Sequence, residues 1–383
     1  MSRPETIWLD HAATSWPKPP IVLTAVTRWF EELGCDASRG STWRHQEVRR
    51  LVNTCRSKLG TLCGVAPEHV VFCSGATEAI NLHLRSTLAP GDTVWTTSLE
   101  HNSVARPLEA LRQERDLRIV VLEPERAGAG IDPERVRQRL EHEPPPRLVV
   151  FNHVSNVTGA ITDLGPVAAR IRDAGGQILA DCAQSAGRLA LSTLDVDALA
   201  FPAHKGLQGP PGLGVLALRP NALQVPIEPL HYGGTGSSSP SLAMPDELPL
   251  RLEAGTPNTP AIVGLLAGIE WITERGIDEI HRHERAMTER LRAGLADEVA
   301  SGNVQQFGGE DTGVIALAFR DLDPHEVAMA LAHDEIYVRA GFHCTTLLHD
   351  RLGAPSGTVR LSPGPTTTTS DIDTALRSLL DCV

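Results

Sequence analysis

The sequence predicts an α/β protein with a mostly parallel seven-stranded sheet, helices on both faces of that sheet, and a smaller α+β domain. Two observations predict this architecture. Short apolar runs recur between residues 70 and 217, and stretches with helical apolar spacing separate most of them. Strands that alternate with helices in this way form parallel sheets with right-handed crossovers. The 383 residues, 41% hydrophobic and 21% charged, suffice for a large core and for two domains.

The expected elements cover most of the chain. Strands are predicted at 70–73, 93–96, 118–122, 148–152, 177–180, 198–201 and 214–217, with helices at 76–88, 103–114, 132–142 and 164–174. Helices at 20–34 and 45–62 precede the sheet, and helices at 260–274, 277–298 and 324–333 follow it, with strands at 313–319 and 358–362. The Pro-, Gly- and Ser-rich stretch from about 220 to 258, which includes 233–240, is predicted to form a mobile loop. We expect a large domain over 16–254 and a small domain formed by 1–15 and 255–383.

Composition and charge argue against several classes of protein. A net charge of −12 is unfavourable for binding nucleic acid, which requires a basic surface. No apolar run reaches the ~18 residues that a membrane-spanning helix needs, and the first residues lack the apolar segment of a secretory signal. The seven cysteines are scattered without a CxxC pair, which predicts neither a disulfide framework nor a zinc ribbon. These features together predict a cytoplasmic protein without a structural metal.

Chemically distinctive residues follow several of the predicted strands. Ligands gather at the carboxyl ends of strands in an open parallel sheet, so these residues are expected to share one site. They are Ser74-Gly75-Ala76-Thr77, Glu100-His101-Asn102-Ser103, His153 to Gly159, Asp181 to Gln184, and His204-Lys205. A lysine at the end of a buried strand has a depressed pKa, which makes its amine a better nucleophile or base.

Each of these features has a simpler explanation when it is taken alone. The Ser-Gly-x-Thr sequence is also a helix cap, a loop histidine is often a surface residue, and a lysine in a glycine-rich loop is usually solvated. Their combination matches pyridoxal phosphate (PLP). Lys205 provides an amine for imine formation, Asp181 a carboxylate for the ring nitrogen, and the turn at Thr77 backbone amides for the phosphate.

The order of these residues resembles the class V aminotransferase family of fold type I PLP enzymes, and within it the cysteine desulfurases and selenocysteine lyases. The resemblance covers nearly the whole chain. Its motifs are Leu9-Asp10-His11-Ala12-Ala13-Thr14, Ser74-Gly75-Ala76-Thr77-Glu78, Glu100-His101-Asn102, Asn156-x-x-Gly159, Asp181-x-x-Gln184, His204-Lys205, Glu253-Ala254-Gly255-Thr256-Pro257-Asn258, Arg339-Ala340-Gly341-Phe342-His343-Cys344 and Val359-Arg360-Leu361-Ser362.

The resemblance implies a role for each matching residue. Lys205 would bind PLP covalently, Asp181 would pair with the pyridine nitrogen and Gln184 would contact the phenolic oxygen. His101 would stack on the ring and serve in proton transfer. The phosphate would be held by Ala76, Thr77, His204 and, from the partner subunit of a homodimer, Thr256. The substrate would be bound by His11, Ala12, Asn156, Arg339 and Arg360, with its carboxylate on Asn156 and Arg360.

Cys344 distinguishes among the relatives. It lies sixteen residues before Arg360, at the position of the persulfide-forming cysteine of short-loop desulfurases. A partly exposed thiol beside imidazoles and Arg339 is expected to react as a thiolate. A metal site made by His343, Cys344 and His349 is the alternative, for which no fourth ligand is evident.

The sequence therefore predicts a cysteine desulfurase that converts L-cysteine to L-alanine and leaves a persulfide on Cys344, for delivery to an unidentified sulfur-acceptor protein. The alternatives are a selenocysteine lyase, another class V carbon–sulfur lyase or aminotransferase, and a non-catalytic sulfur-relay scaffold. Pro202 departs from the family, which often has Ser or Thr at this position for the phosphate. The loop at 346–349 departs as well, and it affects the choice of acceptor.

Overall fold

The computed structural model describes residues 6–37, 40–224, 226–236 and 241–383, so residues 225 and 237–240 of the predicted loop lie outside the described part. Its helices are α1 Pro20–Arg28, α2 Trp43–Cys63, α3 Ala76–Thr87, α4 Asn102–Arg115, α5 Pro133–His142, α6 Gly165–Asp173, α7 Thr259–Arg275, α8 Ile277–Gly294, α9 Ala296–Ser301, α10 Pro324–His333, α11 Thr346–Leu352 and α12 Thr369–Cys382. Its strands are β1 Ile7–Trp8, β2 Val70–Cys73, β3 Thr93–Thr97, β4 Arg118–Leu122, β5 Leu148–Asn152, β6 Gln177–Asp181, β7 Ala198–Pro202, β8 Gly214–Leu218, β9 Val304–Gly308, β10 Ile315–Phe319, β11 Ile336–Tyr337, β12 Arg339–Gly341 and β13 Thr358–Leu361.

The large sheet has seven strands in the order β2-β8-β7-β6-β5-β3-β4. All neighbours are parallel except β8, which runs antiparallel to both β2 and β7. Every residue of β5 to β8 is buried, which explains why these strands are almost entirely apolar between their ends. One apolar core lies on each face of the sheet. The predicted α/β class with a mostly parallel seven-stranded sheet is confirmed.

A smaller antiparallel sheet has the order β12-β13-β10-β9 and its own apolar core. Near the start of the chain, β1 pairs in parallel with β11, which ties the amino-terminal segment to the carboxyl-terminal part. Helix α7 packs on the core of the large sheet through Ile262, Leu265 and Ile269. The domain division at 254/255 stays a prediction.

Two predicted helices are interrupted in the structure. The first α-helix ends at Arg28 and continues as a π-helical turn over Trp29–Leu33, which the left-handed Gly34 terminates at φ 57°. The helix predicted at 277–298 breaks after Gly294, where a Cβ would lie 2.6 Å from Leu376 of α12. No helix in the described ranges is long and apolar enough to cross a membrane.

The two sheets bring distant residues to one edge. Asn152 and Asp181 are register partners at the carboxyl ends of β5 and β6, and Asp181 is also the register partner of Ala200 of β7. In the small sheet Arg339 of β12 is the register partner of Arg360 of β13. The pairing of these short strands therefore places both arginines together.

Candidate active site

A cavity of about 430 Å³ opens at the carboxyl ends of the large sheet. Most of the residues predicted for the site line this cavity: Ala12, Ala76, Thr77, His101, Asn156, Asp181, Gln184, His204, Lys205, Arg339, Cys344 and Arg360. The two other predicted residues, Thr256 and His11, lie outside the lining. Thr256 is exposed, whereas His11 is buried against Gly364. The predicted residues thus come together from both sheets.

Lys205 follows β7 and faces this cavity. Desolvation lowers the pKa of its amine from 10.5 to about 8, although the nearby Asp181 carboxylate opposes the shift. A large fraction of the amine is therefore neutral near pH 8, the state required for nucleophilic attack.

Asp181 is the last residue of β6, and its side chain is buried. Its Oδ1 accepts a hydrogen bond from the Ala183 amide at 2.9 Å, and its Oδ2 accepts one from the Ser103 hydroxyl at 3.4 Å. Burial raises the pKa of Asp181, and the positive charge of Lys205 lowers it in part. A buried carboxylate of this kind is stabilised by a cation placed in the cavity.

The His101 ring stands at the start of α4, where its Nδ1 accepts a hydrogen bond from the Ser103 amide at 3.0 Å. An accepting Nδ1 carries no proton, and burial lowers the pKa of His101 to about 4. The ring is therefore neutral, with its proton on Nε2. The Ser103 hydroxyl lies 2.9 Å from Nδ1 and 3.4 Å from Oδ2 of Asp181, so it stands between the two groups and can donate its single hydrogen to one of them at a time.

An anion cradle lies at the start of α3. Gly75 is its N-cap and offers no side chain, which leaves the backbone amides of the first turn near Ala76 and Thr77 without a side-chain cap. Gly214 of β8 packs closely against Gly75. A Cβ on Gly214 would lie only 2.3 Å from the carbonyl carbon of Gly75, so a larger residue does not fit there. His204 also lines this cavity, and desolvation lowers its pKa to about 4.

Arg360 contributes a buried cation to the cavity lining. Its Nη1 donates to the Asn156 carbonyl at 2.9 Å and its Nη2 to Oδ1 of Asp10 at 2.7 Å, while Nε has no acceptor among the described residues. The second oxygen of Asp10 accepts from Nε of Arg339 at 2.9 Å. Asp10 therefore holds both arginines at the cavity.

Cys344 is exposed at the edge of this cavity, on a turn between β12 and α11. His343 and Cys344 both have left-handed backbones, with φ 49° and 58°, which is unfavourable for non-glycine residues. Hydrogen bonds hold the turn: the Asn102 amide donates to the Cys344 carbonyl at 2.8 Å, and Nδ2 of Asn156 donates to the His343 carbonyl at 2.8 Å. The thiol is thus presented by a constrained turn.

The hydroxyl of Thr358 supports the same turn from inside. Nδ1 of His349 donates to the Thr345 carbonyl at 3.0 Å, so its Nε2 is the acceptor for the Thr358 hydroxyl at 3.2 Å. The Thr358 oxygen then accepts from Nε2 of His343 at 2.9 Å. Both imidazoles are committed to this chain of hydrogen bonds, and no three His, Cys, Asp or Glu side chains in the described ranges group as metal ligands.

Sequence reasoning missed several supporting residues. Asp10 and Ser103 stand inside the quoted motifs, yet their contacts depend on the fold. Thr358 and Arg188 were missed because Thr358 reaches His343, and Arg188 reaches Glu284 of α8, only through the tertiary structure.

The chain matches known proteins over nearly its full length. The family model for Aminotransferase class-V matches residues 7–375. A probable cysteine desulfurase of Methanothermobacter thermautotrophicus is 31% identical over 366 residues, covering 93% of this chain and 89% of the relative.

Two similar solved structures are also those of cysteine desulfurases. The apo cysteine desulfurase of Thermococcus onnurineus NA1 has a TM-score of 0.91 at 30% identity, covering 99% of this chain and 94% of that chain. The cysteine desulfurase CsdA of Escherichia coli has a TM-score of 0.87 at 27% identity, covering 99% of this chain and 95% of that chain. The predicted family and fold type are confirmed: the chain belongs to the class V aminotransferase family, whose members use PLP, and within it is similar to the cysteine desulfurases.

Proposed function

We propose that this protein is a PLP-dependent cysteine desulfurase that converts L-cysteine to L-alanine and transfers the sulfur to Cys344. The observation that carries the proposal is the joint presence of Lys205, Asp181, Arg360 and an exposed Cys344 around one cavity. The names of the relatives support the same substrate.

The residues present fit PLP. Asp181 offers a buried carboxylate to the ring nitrogen, the uncapped start of α3 offers amides to the phosphate, and Lys205 offers an amine of lowered pKa to the aldehyde. When bound there, PLP supplies an electron sink for the bonds at the substrate's Cα. Pro202 contributes no hydroxyl, so phosphate binding depends more on Thr77, His204 and the partner subunit's Thr256.

The chain's own residues orient the substrate and move its protons. Arg360, with Asn156 beside it, binds the carboxylate of L-cysteine, and Asp10 keeps the guanidinium in place. The other residues proposed to bind the substrate are Arg339 and Ala12, which line the cavity, and His11, which lies outside its lining. The Lys205 amine takes the proton from Cα, and His101, neutral with its proton on Nε2, assists proton transfer at the reacting atoms.

Cys344 performs the sulfur transfer. Its thiolate attacks the substrate sulfur, a new S–S bond forms and the substrate Cβ–S bond breaks. The electron pair of the broken bond stays with the carbon skeleton, which is protonated and leaves as alanine. Since the persulfide keeps the transferred sulfur, L-cysteine and a thiol give L-alanine and a persulfide, and no external oxidant is needed.

We further propose a homodimer, because Thr256 is exposed and lies outside the cavity of its own chain. In a dimer it is free to reach the phosphate of the neighbouring site. Sedimentation of the PLP-loaded protein at micromolar concentration tests this, since a monomer with PLP bound contradicts it.

Product analysis tests the proposed reaction. Purified PLP-loaded protein is mixed with L-cysteine and a thiol reductant, beside the Cys344→Ala variant. Equimolar alanine and sulfide from the wild type, lost in the variant, support desulfuration through Cys344.

Other results of the same experiment would favour the alternative functions. Pyruvate and ammonia indicate an eliminating lyase. Cleavage of selenocysteine that survives in the variant, while cysteine turnover collapses, indicates a selenocysteine lyase. A protein that stays colourless with PLP indicates a non-catalytic scaffold.

A further inference from the structure

A buried ion pair lies directly behind the cavity. Arg188, in the turn region after β6, is 4% exposed, and Glu284 of α8 is 1% exposed. Their Nε and Oε2 atoms are 2.9 Å apart. Buried ion pairs contribute little net stability because both charges lose their hydration. The other contacts of Arg188 indicate a different use for this pair.

Arg188 fixes the orientation of the Gln184 amide. Its Nη1 donates to Oε1 of Gln184 at 3.2 Å, and arginine has donors only, so the amide oxygen must face it. On the other side, Nε2 of Gln184 donates to the Ala12 carbonyl at 2.8 Å. If the amide were flipped, its N–H would face the N–H groups of the Arg188 guanidinium and its oxygen would face the Ala12 carbonyl oxygen. Arg188 and Ala12 therefore require the same orientation of the amide.

This orientation leaves one amide hydrogen unused. Nε2 carries two hydrogens, and the Ala12 carbonyl is its one acceptor among the described residues. Gln184 lines the cavity, so the second N–H is available to a group bound there. We propose that Arg188, anchored by Glu284, is a positioning residue that keeps the Gln184 N–H, and not its carbonyl, directed at the phenolic oxygen of PLP. The inference rests on the proposed cofactor.

A spectroscopic titration tests the inference. An N–H donor stabilises the phenolate form of the bound cofactor and so lowers the pH at which its visible absorption band titrates. In Arg188→Met the amide loses one of its two constraints and only the Ala12 carbonyl still holds it. The midpoint is expected to rise, by up to about one pH unit, the size of a lost hydrogen bond to a charged group. R188M leaves the buried Glu284 carboxylate without its partner, which could prevent folding. The double variant R188M/E284Q removes both charges of the pair and provides the same test in that case.

A double-mutant cycle separates this effect from simple electrostatics, since the positive charge of Arg188 also lowers the pKa of Lys205. In the Gln184→Ala background, R188M is expected to shift the midpoint less than it does in the wild type, because only the charge effect remains. The matched control R172M breaks a different ion pair, with Asp195, and is expected to leave the midpoint unchanged.

Three results would overturn the inference. A midpoint that is unmoved in R188M would show that Arg188 does not position the amide. A shift of equal size in the Q184A background would show that Arg188 acts through its charge alone. A wild-type protein that shows no visible band with PLP would overturn the proposed function, and this inference with it.

Discussion

The carboxylate of Asp10 accepts a hydrogen bond from Nη2 of Arg360 at 2.7 Å, and the two side chains are 6% and 3% exposed. The same carboxylate binds Arg339, so one acid near the amino terminus orients two arginines from the carboxyl-terminal sheet. Burial lowers the pKa of Arg360, and Asp10 counteracts that shift. Asp10 therefore supplies the opposite charge and the hydrogen bond that hold the buried Arg360 guanidinium at the cavity.

Replacing Asp10 with Asn is expected to weaken the binding of the substrate carboxylate. The loss of charge-assisted bonds to a buried arginine costs about 2 kcal/mol, equivalent to roughly a 30-fold drop in kcat/KM, carried mainly by KM. Steady-state alanine formation measures it. Asp373→Asn, which removes the exposed partner of Arg290, is the control and is expected to have no effect. An unchanged KM in D10N would refute this role of Asp10.

Loading of the apoprotein with PLP is expected to depend on pH through Lys205. The amine is charged below its pKa and neutral above it, and only the neutral form attacks the aldehyde. Because burial lowers this pKa from 10.5 to about 8, the loading rate should rise with pH and level off above about 8. Absorbance after mixing apoprotein with PLP reports the rate, and Lys205→Ala is the control without covalent binding. A rate still rising steeply at pH 10 would contradict a lowered pKa.

Thr358→Val is expected to loosen the turn that carries Cys344. The valine keeps the volume of threonine but removes the hydroxyl between His343 and His349, which leaves two buried imidazole nitrogens unpaired. We expect a loss of about 2 kcal/mol in the free energy of unfolding, measured by denaturant titration. Thr358→Ser retains the hydroxyl, so it should lose less. A valine variant as stable as the wild type, or no less stable than the serine variant, would contradict this role of the hydroxyl.

Ser103→Ala tests the hydroxyl that lies between His101 and Asp181. The variant removes a hydroxyl 2.9 Å from Nδ1 of His101 and 3.4 Å from Asp181. The backbone amide of residue 103 still donates to His101, so the expected cost is about 1 kcal/mol, equivalent to roughly five-fold in kcat. A Ser103→Thr variant, which keeps the hydroxyl, should turn over faster than S103A. The assignment fails if the two are equally slow.

Much of the large sheet was predictable because its strands are buried on both faces. Runs such as 148–151 and 198–201 are apolar throughout, so they stand out from the helices between them. The small sheet was harder. Strand β9 reads Val-Gln-Gln-Phe-Gly, and β12 contains Arg339 and two small residues, so neither shows an apolar run. Their pairing comes from tertiary contacts.

The same distinction holds at the candidate site. Lys205 and Asp181 follow recognisable strands, and Cys344 lies in a recognisable motif, so all three were predicted to share a site. Arg188 and Thr358 were not, because their partners lie on other elements: Arg188 pairs with Glu284 of α8, and Thr358 bonds His343 and His349. Residues that orient other residues leave little trace in local sequence.

The central claim is that sulfur passes from L-cysteine to Cys344. Mass spectrometry of the PLP-loaded protein, after one turnover with sulfur-labelled L-cysteine and no reductant, tests it most directly. We predict one labelled sulfur atom on the peptide that contains Cys344, removable by a thiol and absent in Cys344→Ala. Alanine formed with no label on that peptide, or with label on another cysteine, would contradict the account.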